Sequence, residues 1–242
     1  MQIKKMRFLK KNANNTKKNG KVTDKSKKSS KFARRNEKLS MKLIVMTKST
    51  FFVEEDKILQ ALFDEGLETL HLYKPGWEPV YSERLLTLLP EEYYKRICVH
   101  DHFYLKEEYR LRGIHLDRSD QQAPKGYKGK LSRTCHKLEE LRQMKKEADY
   151  VFLQNIFDSQ SNPDDRQSFT EEELHQASRQ GLIDRHVYAL GGINIDNVRT
   201  AKDLGFGGVV ICGDLWNRFD IHQQTDFKEL IAHFERLRKA VG

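Results

Sequence analysis

The sequence has no long hydrophobic run and few cysteines. No stretch approaches the roughly 18 apolar residues that a membrane span requires, and the charged N-terminus lacks the apolar segment of a secretory signal. Its three cysteines, Cys98, Cys135 and Cys212, are odd in number and widely spaced. This pattern is typical of free thiols in a reducing cytosol and argues against a disulfide framework. We therefore expect a cytoplasmic protein with no membrane partner.

The net positive charge of the chain comes from its start. Residues 1–40 contain fifteen Lys or Arg and two acids, a net charge of +13, whereas the whole chain carries +9. Residues 41–242 therefore carry −4. The basic segment has too few apolar residues to offset the entropy lost on ordering.

Two interpretations of this segment are open. It is typical of an arm for nucleic acid or a membrane surface. It is equally typical of a disordered Lys-rich extension, including upstream sequence translated ahead of a true start at Met41. The second is favoured because a strand-like run begins directly after Met41, and we expect no nucleic-acid partner. The predicted domains are a tail over 1–40 and a folded body over 41–242.

Strand-like and helical segments alternate through the body. Short apolar runs predict eight strands at Leu43–Thr47, Thr69–Tyr73, Ile97–His100, Gly113–Leu116, Lys130–Arg133, Tyr150–Leu153, Val187–Leu190 and Val209–Cys212. Amphipathic patterns predict helices at Glu54–Asp64, Ser82–Leu88, Phe103–Arg112, Lys137–Glu147, Glu171–Arg179, Ile195–Leu204 and Phe227–Ala240. No convincing helix follows the fourth strand. This α/β alternation favours a single (β/α)8 TIM barrel of minimal size over an open doubly wound sheet.

Two glycine turns end the last two predicted strands. Gly191-Gly192 follow one strand, and Gly213-Asp214 follow the next. Glycine lets backbone N–H groups approach a phosphate closely, and TIM barrels commonly bind phosphate after strands seven and eight. The turns predict a phosphate site, although a doubled glycine is also compatible with a simple tight turn.

Polar and charged residues gather at the other strand ends, where TIM barrels carry function. Asp101 and Asp120 are candidates for Mg²⁺, which takes one or two carboxylates together with phosphate oxygens. Cys98, His100 and His102 alternate along one segment. Such residues in a strand serve packing far more often than a transition metal, so a metal site there is the less favoured interpretation.

These segments resemble the thiamine phosphate synthase and thiazole tautomerase family over essentially all of residues 41–242. The resemblance is carried by KLIVMTKS, HDHFYL followed by RGIHLDRSD, TCHKLEEL, ADYVFLQNIFDSQSN, ALGGINIDNV and GFGGVVICGDL. It implies that Asp101 and Asp120 hold Mg²⁺ and that Thr134 contacts a pyrimidine substrate. It also implies a thiazole phosphate site built from a hydroxyl-rich loop and the two glycine turns: Ser159, Gln160, Ser161, Gly191, Gly192, Cys212 and Gly213.

The sequence departs from the synthases where they grip the diphosphate of the pyrimidine substrate. Their Gln-x-Arg-x-Lys motif reads His71–Pro75 here, so that the Arg is Tyr73 and the Lys is Pro75. The synthases have a further diphosphate-binding lysine after strand six, and Asn162 stands at that position here. They also have an asparagine before the first Mg²⁺ aspartate, where this sequence has His100. Because a leaving diphosphate needs cations to stabilise its developing charge, we expect the synthase reaction to be disabled. Lys74, Arg118 and Arg133 are the alternatives that would replace the lost cations, which keeps Tyr73, Lys74 and Asn162 among the candidate substrate-binding residues.

The thiazole phosphate half of the site matches the family pattern better than the diphosphate half does. This combination resembles the tautomerase branch of the family. That branch moves a proton on a thiazole carboxylate phosphate and needs no diphosphate grip. Its acid–base position is Asn155 here, and asparagine does not titrate. Histidine titrates near neutral pH, so His71, His100 and His136 are candidate catalytic residues. Thr134, at the predicted pyrimidine contact, is counted with them.

Two function classes therefore stay open. One is a thiamine-biosynthesis enzyme, either a tautomerase-like isomerase without a cofactor or a Mg²⁺-dependent synthase that joins a pyrimidine diphosphate to a thiazole phosphate. The other is a non-catalytic binder of a phosphate ester. A homodimer is an open alternative for the oligomeric state.

Overall fold

A computed structural model describes residues 41–160, 162, 164–220 and 226–242. The predicted tail, residues 1–40, lies outside the described residues. The described strands form a closed barrel in the order β1 to β8, and every pair of neighbours is parallel. The predicted α/β TIM barrel is therefore confirmed. None of the described helices combines the length and apolar character needed to cross a bilayer.

The eight strands lie where the apolar runs predicted them, with ends shifted by at most two residues. They are β1 Lys42–Met46, β2 Thr69–Leu72, β3 Ile97–Val99, β4 Gly113–Leu116, β5 Lys130–Cys135, β6 Tyr150–Gln154, β7 Val187–Leu190 and β8 Gly208–Ile211. Ile44 of β1 pairs with Thr69 on one side and with Val210 on the other, which closes the barrel. Closure places all eight carboxyl ends around one rim.

Helices follow most strands and cover the barrel. They are α1 Glu55–Asp64, α2 Pro79–Leu88, α3 Tyr104–Glu108, α4 Leu141–Glu147, α5 Glu171–Arg179, α6 Val198–Asp203, α7 Gly213–Trp216 and α8 Lys228–Val241, with 3-10 turns at Glu91–Arg96 and Leu138–Glu140. As predicted, residues 117–129 between β4 and β5 contain no helix.

Three predicted helices are shorter than the apolar pattern indicated. The helix predicted at Lys137–Glu147 begins at Leu141, after a 3-10 turn at Leu138–Glu140. The helix predicted at Phe103–Arg112 ends at Glu108, because Arg110 takes a left-handed φ of 53° that does not continue a helix. The helix predicted at Ile195–Leu204 begins at Val198, three residues later than predicted. Asn194 Oδ1 accepts the N–H groups of Asp196 and Asn197 at 2.9 and 3.1 Å, so a local turn occupies these residues.

The barrel interior has an apolar half and a polar half. Five apolar side chains from β1, β6, β7 and β8 pack together inside it, namely Ile44, Met46, Phe152, Leu190 and Val210. On the side of β2 to β5, the buried interior residues are polar: His71, His100, His115, Ser132 and Thr134. A larger apolar layer lies between the strands and the helices. The polar half supports the floor of the site described next.

Candidate active site

A cavity of about 570 Å³ opens at the carboxyl ends of the strands. Most of the residues predicted to bind substrate or phosphate line it: Tyr73, Ser159, Gln160, Asn162, Gly191, Gly192, Cys212 and Gly213. They follow β2, β6, β7 and β8, so barrel closure brings four distant segments of sequence to one cavity. Ser161 belongs to the same predicted loop but lies outside the described residues.

The turn after β7 requires glycine. Gly191 and Gly192 have positive φ angles of 100° and 62°, a region that other residues rarely adopt. A Cβ atom on Gly192 would overlap the carbonyl oxygen of Asp158, because the turn packs directly on the loop after β6. The Gly192 carbonyl also accepts a 2.9 Å hydrogen bond from Asn197 Nδ2. Packing and this bond together fix the turn, whose backbone lines the cavity.

The loop after β6 is held by hydrogen bonds to itself and to the segment after β8. The Ser159 N–H donates to the Asp165 carbonyl at 2.8 Å, and Ser159 Oγ accepts the Asn162 N–H at 3.1 Å. Asn217 Nδ2 donates to the Gln160 carbonyl at 2.9 Å. These bonds hold amide and hydroxyl groups at the cavity edge, where they are suited to hydrogen-bonding an anion.

The cavity lining carries little positive charge. Within the described residues, Lys48 is its one Lys or Arg side chain, and Asp117, Asp165 and Asp214 are its acids. The Lys48 ammonium lies 5.7 Å from the centre of the Phe52 ring. Neither Lys48 nor Asp117 is assigned a role by the sequence alone, although both line the cavity. Their position directly after β1 and β4 was the available signal.

Lys74, a predicted replacement cation, does not line the cavity. Its Nζ donates to both carboxylate oxygens of Glu55, at 2.6 and 2.9 Å, and to the carbonyl of Thr50 at 2.8 Å. All three ammonium donors are thereby used within the protein. Burial lowers the pKa of Lys74 and raises the pKa of Glu55 to about 7, because both charged forms lose hydration. Lys74 is positioned to stabilise the fold.

The two candidate arginines are also bound to protein groups outside the cavity lining. Arg118 Nε lies 3.3 Å from Asp120 Oδ1 on the exposed surface. Arg133 pairs with Glu147 at 2.8 Å and donates to the Ser119 carbonyl at 3.3 Å. None of the three cations that were to replace the diphosphate grip therefore lines the cavity.

The predicted magnesium aspartates fit a metal only in part. Asp101 Oδ2 is buried and has no hydrogen-bond partner among the described residues, as expected of an atom that awaits a cation. Asp120, however, is 78 % exposed and paired with Arg118. Neither residue lines the cavity. This pair does not form a ready-made two-carboxylate site.

The predicted histidines and Thr134 are placed outside the cavity lining. His71 and His100 are fully buried, with 2.8 Å between His71 Nδ1 and His100 Nε2. Thr134 Oγ1 lies 2.8 Å from Nε2 of a third buried histidine, His115. Burial lowers the pKa of both His71 and His115 well below the usual range, since imidazolium is poorly solvated there. His136 is exposed on the surface.

The residues weighed for a transition metal do not converge. His102 Nε2 bonds the carbonyl of Trp77 at 2.9 Å, while Cys98 Sγ is 3.6 Å from the Tyr150 hydroxyl. Within the part of the chain that the structure describes, the group of metal-capable side chains is instead His71, His100 and His115, whose ligand atoms lie within 4.8 Å. All six of their ring nitrogens already have protein partners.

Comparisons with known proteins agree with the fold. The model of the family described as thiamine monophosphate synthase matches residues 82–215. A thiamine-phosphate synthase from Serratia proteamaculans is 28 % identical over 170 residues, which cover 66 % of this chain and 79 % of that protein.

Solved structures extend the comparison. A thiamine phosphate pyrophosphorylase from Bacteroides thetaiotaomicron is 51 % identical, with a TM-score of 0.76 over 83 % of this chain and 97 % of that one. The fold alone is shared with a thiamine phosphate pyrophosphorylase from Pyrococcus furiosus, at 21 % identity and a TM-score of 0.63 over 84 % and 96 % of the two chains. The chain therefore belongs to the thiamine phosphate synthase family, a family of thiamine biosynthesis.

Proposed function

We propose that the cavity binds a thiazole phosphate and that the protein moves a proton on a thiazole carboxylate phosphate, as a tautomerase does. The observation that carries this proposal is the distribution of cations. Among the described residues that line the cavity, Lys48 is the one Lys or Arg side chain, and Lys74, Arg118 and Arg133 lie outside that lining.

One phosphate monoester suits this charge balance. Its charge of about −1.5 to −2 is within the capacity of backbone N–H groups, the loop amides and hydroxyls, and Lys48. A leaving diphosphate needs several cations at once, and Asp117 and Asp165 in the same lining add repulsion. Magnesium would be held by Asp101, and the proton transfer proposed here does not need it.

The cavity also suits a small ligand in size and in chemistry. Its volume of about 570 Å³ lies within the usual range for small-molecule sites. Tyr73, Leu190 and Val210 provide apolar and aromatic surface for a ring. The glycine turn and the loop after β6 provide the polar groups on one side, so a phosphorylated ring would be oriented with its phosphate toward β7 and β8.

Calorimetry on two lysine variants tests the binding half of the proposal. Lys48→Gln should weaken thiazole phosphate binding about tenfold or more, which corresponds to about 1.4 kcal/mol. Lys137→Gln is the matched control, because Lys137 follows β5 on the same rim but is exposed and outside the cavity lining. The control should bind as the wild type does. Equal affinity in all three proteins would contradict the proposed site.

A further inference from the structure

A continuous chain of hydrogen bonds runs from the barrel interior to the cavity. The Tyr150 hydroxyl lies 2.8 Å from His71 Nε2, and His71 Nδ1 lies 2.8 Å from His100 Nε2. His100 Nδ1 then lies 2.9 Å from both carboxylate oxygens of Asp117. Tyr150, His71 and His100 are buried, whereas Asp117 is one-third exposed and lines the cavity.

The direction of each hydrogen bond follows from the carboxylate at its end. An ionised carboxylate only accepts, so His100 Nδ1–H donates to Asp117. His100 Nε2 then accepts from His71 Nδ1–H, and His71 Nε2 accepts from the Tyr150 hydroxyl. Burial supports this neutral arrangement, since it lowers the pKa of His71 and raises the pKa of the Tyr150 phenol. The chain therefore fixes one tautomer of His100 and with it the orientation of Asp117.

We propose that Asp117 is the catalytic acid–base of the tautomerase reaction, with His100 and His71 as positioning residues. This inference rests on the proposed function. The Asp117 carboxylate takes a proton from a carbon of the thiazole ring as that C–H bond breaks and its electron pair enters the π system. The resulting carboxylic acid returns the proton to the carbon at the other end of the conjugated system, where a new C–H bond forms. The carboxylate is regenerated, and nothing is oxidised or reduced.

The two other acids among the described residues of the cavity lining are less suited to this role. Asp214 directs its carboxylate to His233 Nε2 at 2.6 Å and to Arg218 at 3.2 Å, and its side chain is only 7 % exposed, against 33 % for Asp117. Asp165 follows the loop after β6, on the side that the phosphate would occupy. Asp117 follows β4 on the opposite side, where the ring would lie.

The groups around Asp117 keep it oriented. His115 Nε2 lies 3.6 Å from Asp117 Oδ1. The backbone N–H of Asp117 donates to Gln121 Oε1 at 2.9 Å. Burial raises the pKa of the neighbouring Tyr73 phenol, and the charges of Asp117 and Asp101 raise it further. A neutral Tyr73 is a hydrogen-bond donor or apolar wall and does not compete for the proton.

The test measures binding and isomerisation separately on the full chain with thiazole carboxylate phosphate. Asp117→Asn should bind the ligand within twofold of the wild type, because asparagine still accepts from His100. Its isomerisation rate should fall about 100-fold or more, as expected for loss of a general acid–base. Asp117→Glu, which restores a carboxylate, should recover part of that rate.

Two further variants separate positioning from folding. His71→Phe should lower kcat about tenfold with KM unchanged, since His100 loses the donor that fixes its tautomer. His175→Gln, an exposed histidine on α5, is the matched control and should behave as the wild type. Melting curves of all variants check folding.

The outcomes distinguish the two proposals. If the wild type isomerises the ligand and Asp117→Asn does so at the same rate, the inference is overturned and the proposed function stands. If the wild type binds the ligand without isomerising it, the proposed function and the inference are both overturned. Loss of activity in Asp117→Asn with retained binding, together with partial recovery in Asp117→Glu, supports both.

Discussion

The two sides of the cavity rim differ in where their polar groups are directed. After β6, β7 and β8, the hydroxyl, amide and glycine residues predicted to hold a phosphate line the cavity. Across the cavity, Lys74, Arg118 and Arg133 are each paired with a carboxylate of the protein itself. A cation that is near a site in sequence is available to a ligand only if its donors are free. The comparison therefore distinguishes the side that we propose binds a phosphate, the phosphate side, from the side where the synthases bind a diphosphate, the diphosphate side.

The largest expected effect tests the phosphate side of the cavity, at Gly192. Gly192→Asp should weaken thiazole phosphate binding more than 100-fold, about 2.7 kcal/mol or more, because a carboxylate would enter the phosphate volume and repel its charge. Gly192→Ala is the control for backbone strain, since any Cβ there overlaps the Asp158 carbonyl. Calorimetry and melting curves on both variants separate the two effects. If the Asp and Ala variants bind equally, the phosphate lies elsewhere.

On the other side, the buried Lys74–Glu55 pair should show itself in the pH dependence of stability. The pKa of Glu55 is about 7 in the folded protein, against 4.5 when it is unperturbed, because burial disfavours its charge. Its contribution to the free energy of unfolding is thus complete below pH 4.5 and is lost as the pH rises to about 7. The loss is at most about 3 kcal/mol at 1.36 kcal/mol per pKa unit.

Urea unfolding at several pH values, compared between the wild type and Glu55→Gln, measures this contribution. The variant should lack the decline in stability between pH 4.5 and 7 that Glu55 causes. Identical pH profiles would contradict the assignment of Lys74 and Glu55 as a strained structural pair.

A smaller effect is expected from rebuilding the diphosphate side. The combined variant Tyr73→Arg, Pro75→Lys and Asn162→Lys should raise synthase turnover about tenfold, which requires only about 1.4 kcal/mol of transition-state stabilisation. Tyr73 and Asn162 line the cavity, so cations placed there would face a ligand. The matched control carries glutamine at all three positions. Equal turnover by the two triple variants would show that missing cations are not what limits the reaction.

The smallest expected effect concerns residues 1–40, which lie outside the described residues. Their removal should leave the melting temperature and the thiazole phosphate affinity unchanged, because the segment has little apolar surface with which to dock. A fall of several degrees in the truncated protein would show that the segment packs on the barrel.

Local patterns were enough to predict the barrel and the glycine turn after β7. Period-two and apolar runs located all eight strands, and Gly191-Gly192 marked a turn whose positive φ angles depend on glycine. The direction of long polar side chains was not predictable. Lys74 follows β2 as a ligand-binding lysine would, but its destination depends on Glu55, nineteen residues earlier in the chain.

The histidines illustrate the same limit. His71 and His100 were selected because histidine titrates near neutral pH, yet both point into the barrel and contact each other. Asp117 became a candidate only when closure of the barrel placed it over His100 at the cavity floor. Contacts between strands that are distant in sequence determine these roles, and a single sequence does not encode them in any local pattern.

The central claim is that the cavity kept thiazole phosphate chemistry and lost the diphosphate reaction. Its most direct test incubates the wild-type protein with thiazole carboxylate phosphate, with and without the pyrimidine diphosphate and Mg²⁺, and follows thiazole isomerisation and thiamine phosphate formation separately. Isomerisation in both mixtures, with negligible thiamine phosphate, is the predicted result. Robust thiamine phosphate formation by the wild type would contradict the claim.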